Sequence, residues 1–134
     1  MLADYVAYHS VRKMGRDFTP GKGPYVFLSG KSRTFLEKVI GREVWVVTGT
    51  PGPDGKTIFR LAAVYTPDEV TQGSDVFLVK GTRGHGFKPP IELNDLPWFE
   101  SLYREQHNFS YGMSRIRDEN VIQALYALLP KKRR

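Results

Sequence analysis

The chain has 134 residues, 40% of them hydrophobic, which suffices for one core and is too short for two ordinary domains; one domain over residues 1–130 and a basic tail, 131–134, are expected. It contains no cysteine, which excludes disulfides, thiolate metal sites and a cysteine nucleophile together. Its net charge of +6 is local: residues 11–42 carry eight basic and two acidic side chains, whereas residues 43–100 carry five basic and eight acidic ones.

A segment holding Arg12, Lys13, Arg16, Lys22, Lys31, Arg33, Lys38 and Arg42 attracts polyanions and speeds their encounter; a merely solvated surface is the alternative. No apolar run approaches the ~20 residues that cross a bilayer. The opening Met-Leu-Ala-Asp has neither the charged start nor the apolar stretch of a signal peptide, so a cytoplasmic protein without membrane contact is expected.

In chain order, Asp4 to Ser10 alternates β-favouring residues and reads as a first or edge strand, and the polar, Gly- and Pro-containing stretch from Arg12 to Lys22 reads as a loop. Tyr25 to Leu28 is a second short strand. Ser32 to Ile40 places Phe35, Leu36, Val39 and Ile40 on one helical face, with Ser32 as N-cap and Gly41 as the stop. Two longer strands follow, Glu43–Val47 and Thr57–Tyr65, joined through Pro51-Gly-Pro-Asp-Gly55, whose residues favour turn dihedrals.

Pro67 to Val70 reads as a turn, Asp75 to Val79 as a strand, and Gly81 to Gly86 as a flexible tip. Pro89 and Pro90 confine Phe87 to Leu93 to an edge strand or an extended connection, because proline cannot donate to a ladder. Asn94 or Asp95 is expected to cap a helix over Trp98–Glu105, Asn108 to Met113 to break it, and Asp118 to Leu129 to form a last helix ended by Pro130. The fold class expected is α/β (α+β).

The order strand, basic loop, strand, helix, then Ile40-Gly-Arg-Glu-Val-Trp-Val-Val47 and a strand ending Val64-Tyr-Thr-Pro-Asp-Glu-Val70, resembles the PUA-like superfamily with its EVE, YTH and ASCH branches over roughly residues 4–80. The stretch from Pro90 to Phe99 and that from Asn108 to Met113 look like segments of bacterial proteins of modification-dependent restriction. The resemblance implies a small barrel of five or six strands flanked by helices. It implies base flipping of a modified nucleotide into a pocket near the end of the first strand, at His9 and Ser10 and at Ser29, Gly30 and Lys31. Trp45 and Trp98 are the only tryptophans, and Trp45 lies in an apolar strand, so the tryptophan cage of YTH domains is not matched.

A flipped base needs flat π surfaces to replace lost stacking, and donors or acceptors for its Watson–Crick edge. Tyr8, Tyr25, Tyr65, Phe109 and Tyr111 can supply the first, and His9, Ser10, Ser29 and Asn108 the second. The base pocket is therefore assigned to Tyr8, His9, Ser10, Tyr25, Ser29, Asn108 and Tyr111. Phosphate contacts are assigned to Arg12, Lys13, Arg16, Lys22, Lys31, Arg33 and Arg83, the last on a second finger with His85.

Neither the three histidines nor the scattered carboxylates show a metal-site spacing, so no cofactor, metal or catalytic set is assigned. The expected role is DNA recognition, with a modified duplex favoured over RNA and a nuclease fused or separate. Two alternatives stand beside it. One is a metal-independent ribonuclease of ASCH-like type using His9 with Lys13 or Lys31; the other is a protein-interaction module docking through Trp98, Phe99 and Tyr103.

Overall fold

The first strand, β1 (Asp4–Ser10), is buried along most of its length on both faces, as a central strand must be. It pairs in parallel with β3 (Glu43–Pro51), from Asp4 opposite Glu43 to Ser10 opposite Gly49. On its other side it pairs antiparallel with β8 (Met113–Ile116). β3 pairs antiparallel with β4 (Thr57–Thr66), and β4 antiparallel with β7 (Arg83–Glu92), giving the order β7-β4-β3-β1-β8. A second sheet holds β2 (Tyr25–Ser29), β6 (Phe77–Gly81) and β5 (Glu69–Gln72), in the order β2-β6-β5. This computed structural model describes residues 3–15, 18 and 24–130. Over them the protein is mixed α/β, with eight strands in two sheets and four helices.

Side-chain alternation stacks one layer on each face of the five-stranded sheet. Tyr5, Ala7, Val44, Val46 and Tyr65 point toward the small sheet and meet Phe27, Val79 and Leu36. Val6, Trp45, Val47 and Leu61 point the other way. They meet Phe99 and Leu102 of α3 (Phe99–Glu105) and Val121 and Leu125 of α4 (Glu119–Ala127). Each apolar face is thereby removed from water, at roughly 25 cal/mol per Å² of apolar area. No described helix is long and apolar enough to cross a membrane.

Several local expectations are corrected by the packing. The start of the expected loop is a single helical turn, α1 (Val11–Met14): the Ser10 hydroxyl accepts from the Lys13 N–H at 3.3 Å, and Gly15 ends the turn at φ 75°. Arg16 and Lys22 lie outside the described residues, as does the basic tail. Helix α2 (Arg33–Glu37) is shorter than its apolar spacing suggests, although Ser32 caps it by accepting from the Phe35 N–H at 3.2 Å and Gly41 follows at φ 82°. Val39 is fully buried from the turn beyond, and Ile40 is exposed.

The expected turn at Pro67–Val70 carries the first half of β5, and the expected flexible tip at 81–86 is ladder: Arg83 to Gly86 pair with Thr66 to Ala63 of β4. The two prolines do lie on an edge strand, within the register break between Gly86 and Ile91 where no ladder bond is required of them. Asn94 caps no helix. Its side chain spans β4 instead, accepting from the Phe59 N–H at 2.8 Å and donating to the Thr57 carbonyl at 3.0 Å, while Trp98 occupies the α3 N-cap without a side-chain bond. Asp118 caps α4 through the Asn120 N–H, so that start matches the expectation.

One buried polar pair ties β1 to β3. The Trp45 indole N–H donates to Asp4 Oδ2 at 3.0 Å, with Trp45 fully buried and Asp4 nearly so. Removing the acceptor leaves a buried donor unpaired, at a cost of about 1–3 kcal/mol. Asp4→Ala is expected to lower the melting temperature and Asp4→Asn to recover most of it; equal melting of Asp4→Ala and the unaltered chain would remove this pair from the stabilising contacts.

Candidate functional site

Where β1 ends, the sheets part and leave a cavity of about 480 Å³. Its walls are Tyr8, His9 and Ser10 from β1, Lys13 and Met14 from α1, Phe18, residues 24–28 around β2, and Phe109, Ser110 and Gly112 from the segment before β8. A second recess of about 320 Å³ adjoins it, lined by Ser29, Gly30, Lys31 and Tyr111, and the two share Tyr8, Phe27, Leu28 and Gly112. None of the described side chains lining either one is acidic.

Tyr8 is the hinge of this arrangement. Its ring stacks on Phe109 with centroids 5.0 Å apart and planes 7° from parallel, and leans on Phe59 at 6.0 Å. Its backbone N–H donates to the Gly112 carbonyl at 2.6 Å, which ties β1 to the segment bearing Phe109. The ring lies so close over β3 that a Cβ at Gly49 would overlap the Tyr8 hydroxyl, so this position needs glycine for close approach.

Phe109 is held by unusual backbone. His107, Asn108 and Phe109 all take left-handed conformations, φ 50°, 58° and 60°, and form a reversed turn in which the Phe109 N–H donates to the Gln106 carbonyl at 3.0 Å. Each such residue costs roughly 1–2 kcal/mol. Burying the Phe109 ring against Tyr8, Phe59, Phe99 and Tyr103 offsets that cost.

Of the expected pocket residues, Tyr8, His9, Ser10 and Tyr25 line the larger cavity, and Ser29 and Tyr111 the smaller. Asn108 lines neither, being exposed on the left-handed turn. Tyr25 also packs inward, stacked on Tyr65 at 5.5 Å and close over Gly84. His9 is 8% exposed with its ring 5.8 Å from that of Phe18.

Of the expected phosphate contacts, Lys13 reaches the larger cavity and Lys31 the smaller, where the Lys31 ammonium lies 5.6 Å from the Phe35 ring and 5.8 Å from that of Tyr111. Arg12 is exposed on α1 and lines no cavity, Arg33 lies over Phe77 at 5.2 Å, and Arg83 opens β7 opposite Thr66. Met14 and Phe18 were not legible as wall residues, because their neighbours are far away in sequence. Among the described residues no group of three or more histidines or carboxylates is placed to hold a metal ion.

Burial pushes the Tyr8 phenol above its ordinary value; Tyr103 adds to this and a hydrogen bond with Ser10 opposes it. Tyr8 therefore stands in the site as a neutral hydroxyl at physiological pH. No protein-family model matches the chain, and no curated protein matches it.

Burial likewise raises Tyr65, whose hydroxyl donates to the Val79 carbonyl at 2.8 Å, and it raises Tyr126, with Asp4 and Glu43 adding negative charge nearby. In all three the folded state holds its proton more tightly than the unfolded one. Their contribution to stability is complete below the unfolded phenol value of about 10 and is lost as pH rises above it. A phenolate absorbance titration is expected to show one of the seven tyrosines, Tyr65, fully buried and donating to the Val79 carbonyl, ionising late and together with unfolding. Seven independent, reversible ionisations near the ordinary value would contradict the burial seen here.

Proposed function

We propose that the protein is a nucleic-acid-recognition module that takes an extruded, modified nucleotide of a DNA duplex into the cavity at the end of β1. The supporting observation is the composition of that wall: stacked Tyr8 and Phe109 rings beside hydroxyl, imidazole and ammonium groups, with no described carboxylate. Its volume of about 480 Å³ falls within the roughly 300–1,000 Å³ of small-ligand sites. The rings replace stacking, worth about 1–3 kcal/mol per base, and the polar groups address the base edge.

In this reading the protein is a PUA-like, EVE-type domain whose strands stand in two sheets that do not close into a barrel, and it serves a modification-dependent restriction system alongside a nuclease. Arg12, Lys13 and Arg16 act on phosphates and carry no base identity. A second reading, a metal-independent ribonuclease, is favoured by one observation: His9 and Lys13 line the same cavity.

Binding to a panel of plain and modified duplexes tests the proposal. Tyr8→Ala is expected to erase the preference for the modified duplex while leaving weak, salt-sensitive binding, with melting checked because the ring also packs on Phe59. His9→Ala and Lys31→Ala complete the series; unchanged discrimination in all three folded variants would move the reading site elsewhere. Changing Arg12, Lys13 and Arg16 together to Ala is expected to weaken every duplex alike. If about four to six phosphates are neutralised, the unaltered chain should show a log–log salt slope of about −4 to −5.

The two readings separate on integrity of the nucleic acid. Single- and double-stranded DNA and RNA are expected to survive incubation with and without magnesium. Cleavage of RNA that disappears in His9→Ala would establish the ribonuclease in place of the reader.

A further inference from the structure

The smaller recess shares Tyr111 with a third one, of about 340 Å³, whose lining includes Glu105, His107, Arg115 and Arg117. The three recesses thus stand as a series of neighbours: Tyr8 lines the first and the second, and Tyr111 the second and the third. Tyr111 is 44% exposed, its ring 4.9 Å from that of His107, with the Lys31 ammonium 5.8 Å away.

Residues 101–130 carry three basic and three acidic side chains, so composition gives no sign of a cationic surface there. The folded chain separates those charges. Glu105 Oε1 accepts from the backbone N–H groups of Arg117 and Asp118, both at 2.8 Å, and its other oxygen accepts from Gln106 Nε2 at 3.0 Å. Asp118 accepts from the Asn120 N–H at 2.9 Å and from the Ser101 hydroxyl at 3.0 Å. Glu119 lies in the first turn of α4. Arg104 is held by Glu100 at 2.6 Å, the one ion pair among the described residues. Arg115 and Arg117 are both exposed, and with Glu105 in the same recess two cations stand against one carboxylate engaged by backbone and amide donors.

We infer that this series is a track for a nucleic-acid strand: Tyr111 stacks the nucleotide next to the extruded one, and Arg115 and Arg117 hold the phosphates that follow. The inference rests on the base-reading proposal above and adds a contact region outside the basic segment of residues 11–42. An exposed aromatic ring between cationic recesses is the arrangement by which proteins follow a strand without reading its sequence. Arginine suits the far recess because its planar fork matches phosphate geometry.

The test is fluorescence anisotropy with a fluorescein-labelled plain duplex and the same duplex bearing the preferred modified base from the panel. Arg115→Gln with Arg117→Gln is expected to weaken both duplexes equally and to make the salt slope shallower by about 1.8, two phosphates' worth. Tyr111→Ala is expected to weaken both by roughly 5- to 150-fold, and Tyr111→Phe, which keeps the ring, to restore binding. Melting temperatures should stay unchanged, since all three side chains are exposed. Affinity and slope equal to those of the unaltered chain in the arginine and Tyr111→Ala variants would overturn the track. The arginines would then serve only to guard the exposed edge of β8. If discrimination is lost in Tyr8→Ala at the same time, the base-reading proposal survives without the track; if the unaltered chain binds no duplex, both fall.

Discussion

The parallel ladder between β1 and β3 governs the rest of the molecule. Parallel neighbours cannot be joined by a tight turn, so the chain between them must cross from one end of the sheet to the other. That crossing is the basic segment, which leaves the C-terminal end of β1 as α1, contributes β2 to the second sheet, and returns through α2 to the start of β3. Arg12 and Lys13, which leave the end of β1 in α1, therefore share an end of the sheet with the cavity, whereas Arg42 stands at the opposite end beside Glu43. A hairpin between β1 and its neighbour would have placed Arg12, Lys13 and the cavity elsewhere.

Within that frame the site depends on contacts that oppose one another. The left-handed turn at 107–109 is costly by itself, and it is retained because it drives Phe109 into the aromatic group around Phe59, where it becomes the partner of Tyr8. Gly49 contributes by what it lacks, since any side chain there would displace the Tyr8 ring. Tyr8 belongs to the core and to both recesses at once. Melting must accordingly be measured beside affinity in its variants, and the peripheral Tyr111 and Arg115 are cleaner probes of binding.

Charge follows the same logic. Carboxylates near the third recess are drawn to backbone N–H groups and helix caps, because an N-terminal helix turn leaves donors unpaired. Guanidinium groups find no such backbone partner and extend into water. A segment neutral in composition thereby presents a cationic face, which counting charges along the chain cannot reveal.

What the sequence determined by itself is what neighbours in the chain decide. Strand β1, the two long strands after Gly41, the cap at Ser32, the start of the last helix at Asp118 and the edge position of the prolines were all legible, since each depends on apolar patterning, a capping side chain or a missing donor within a few residues. Tyr8, His9, Ser10 and Ser29 were legible as candidates from their chemistry and their strand ends. Strands β5 and β8 were not, because four residues acquire a ladder only when a distant partner supplies it: β6 for one, β1 for the other. Asn94 reads as a cap and instead spans β4, a choice made by a strand more than thirty residues away. The walls at Met14 and Phe18, the stack of Tyr8 on Phe109 and the separation of Arg115 and Arg117 from their acidic neighbours belong to the tertiary structure alone. Each depends on which distant surfaces the parallel crossing brings together, and no local pattern encodes that.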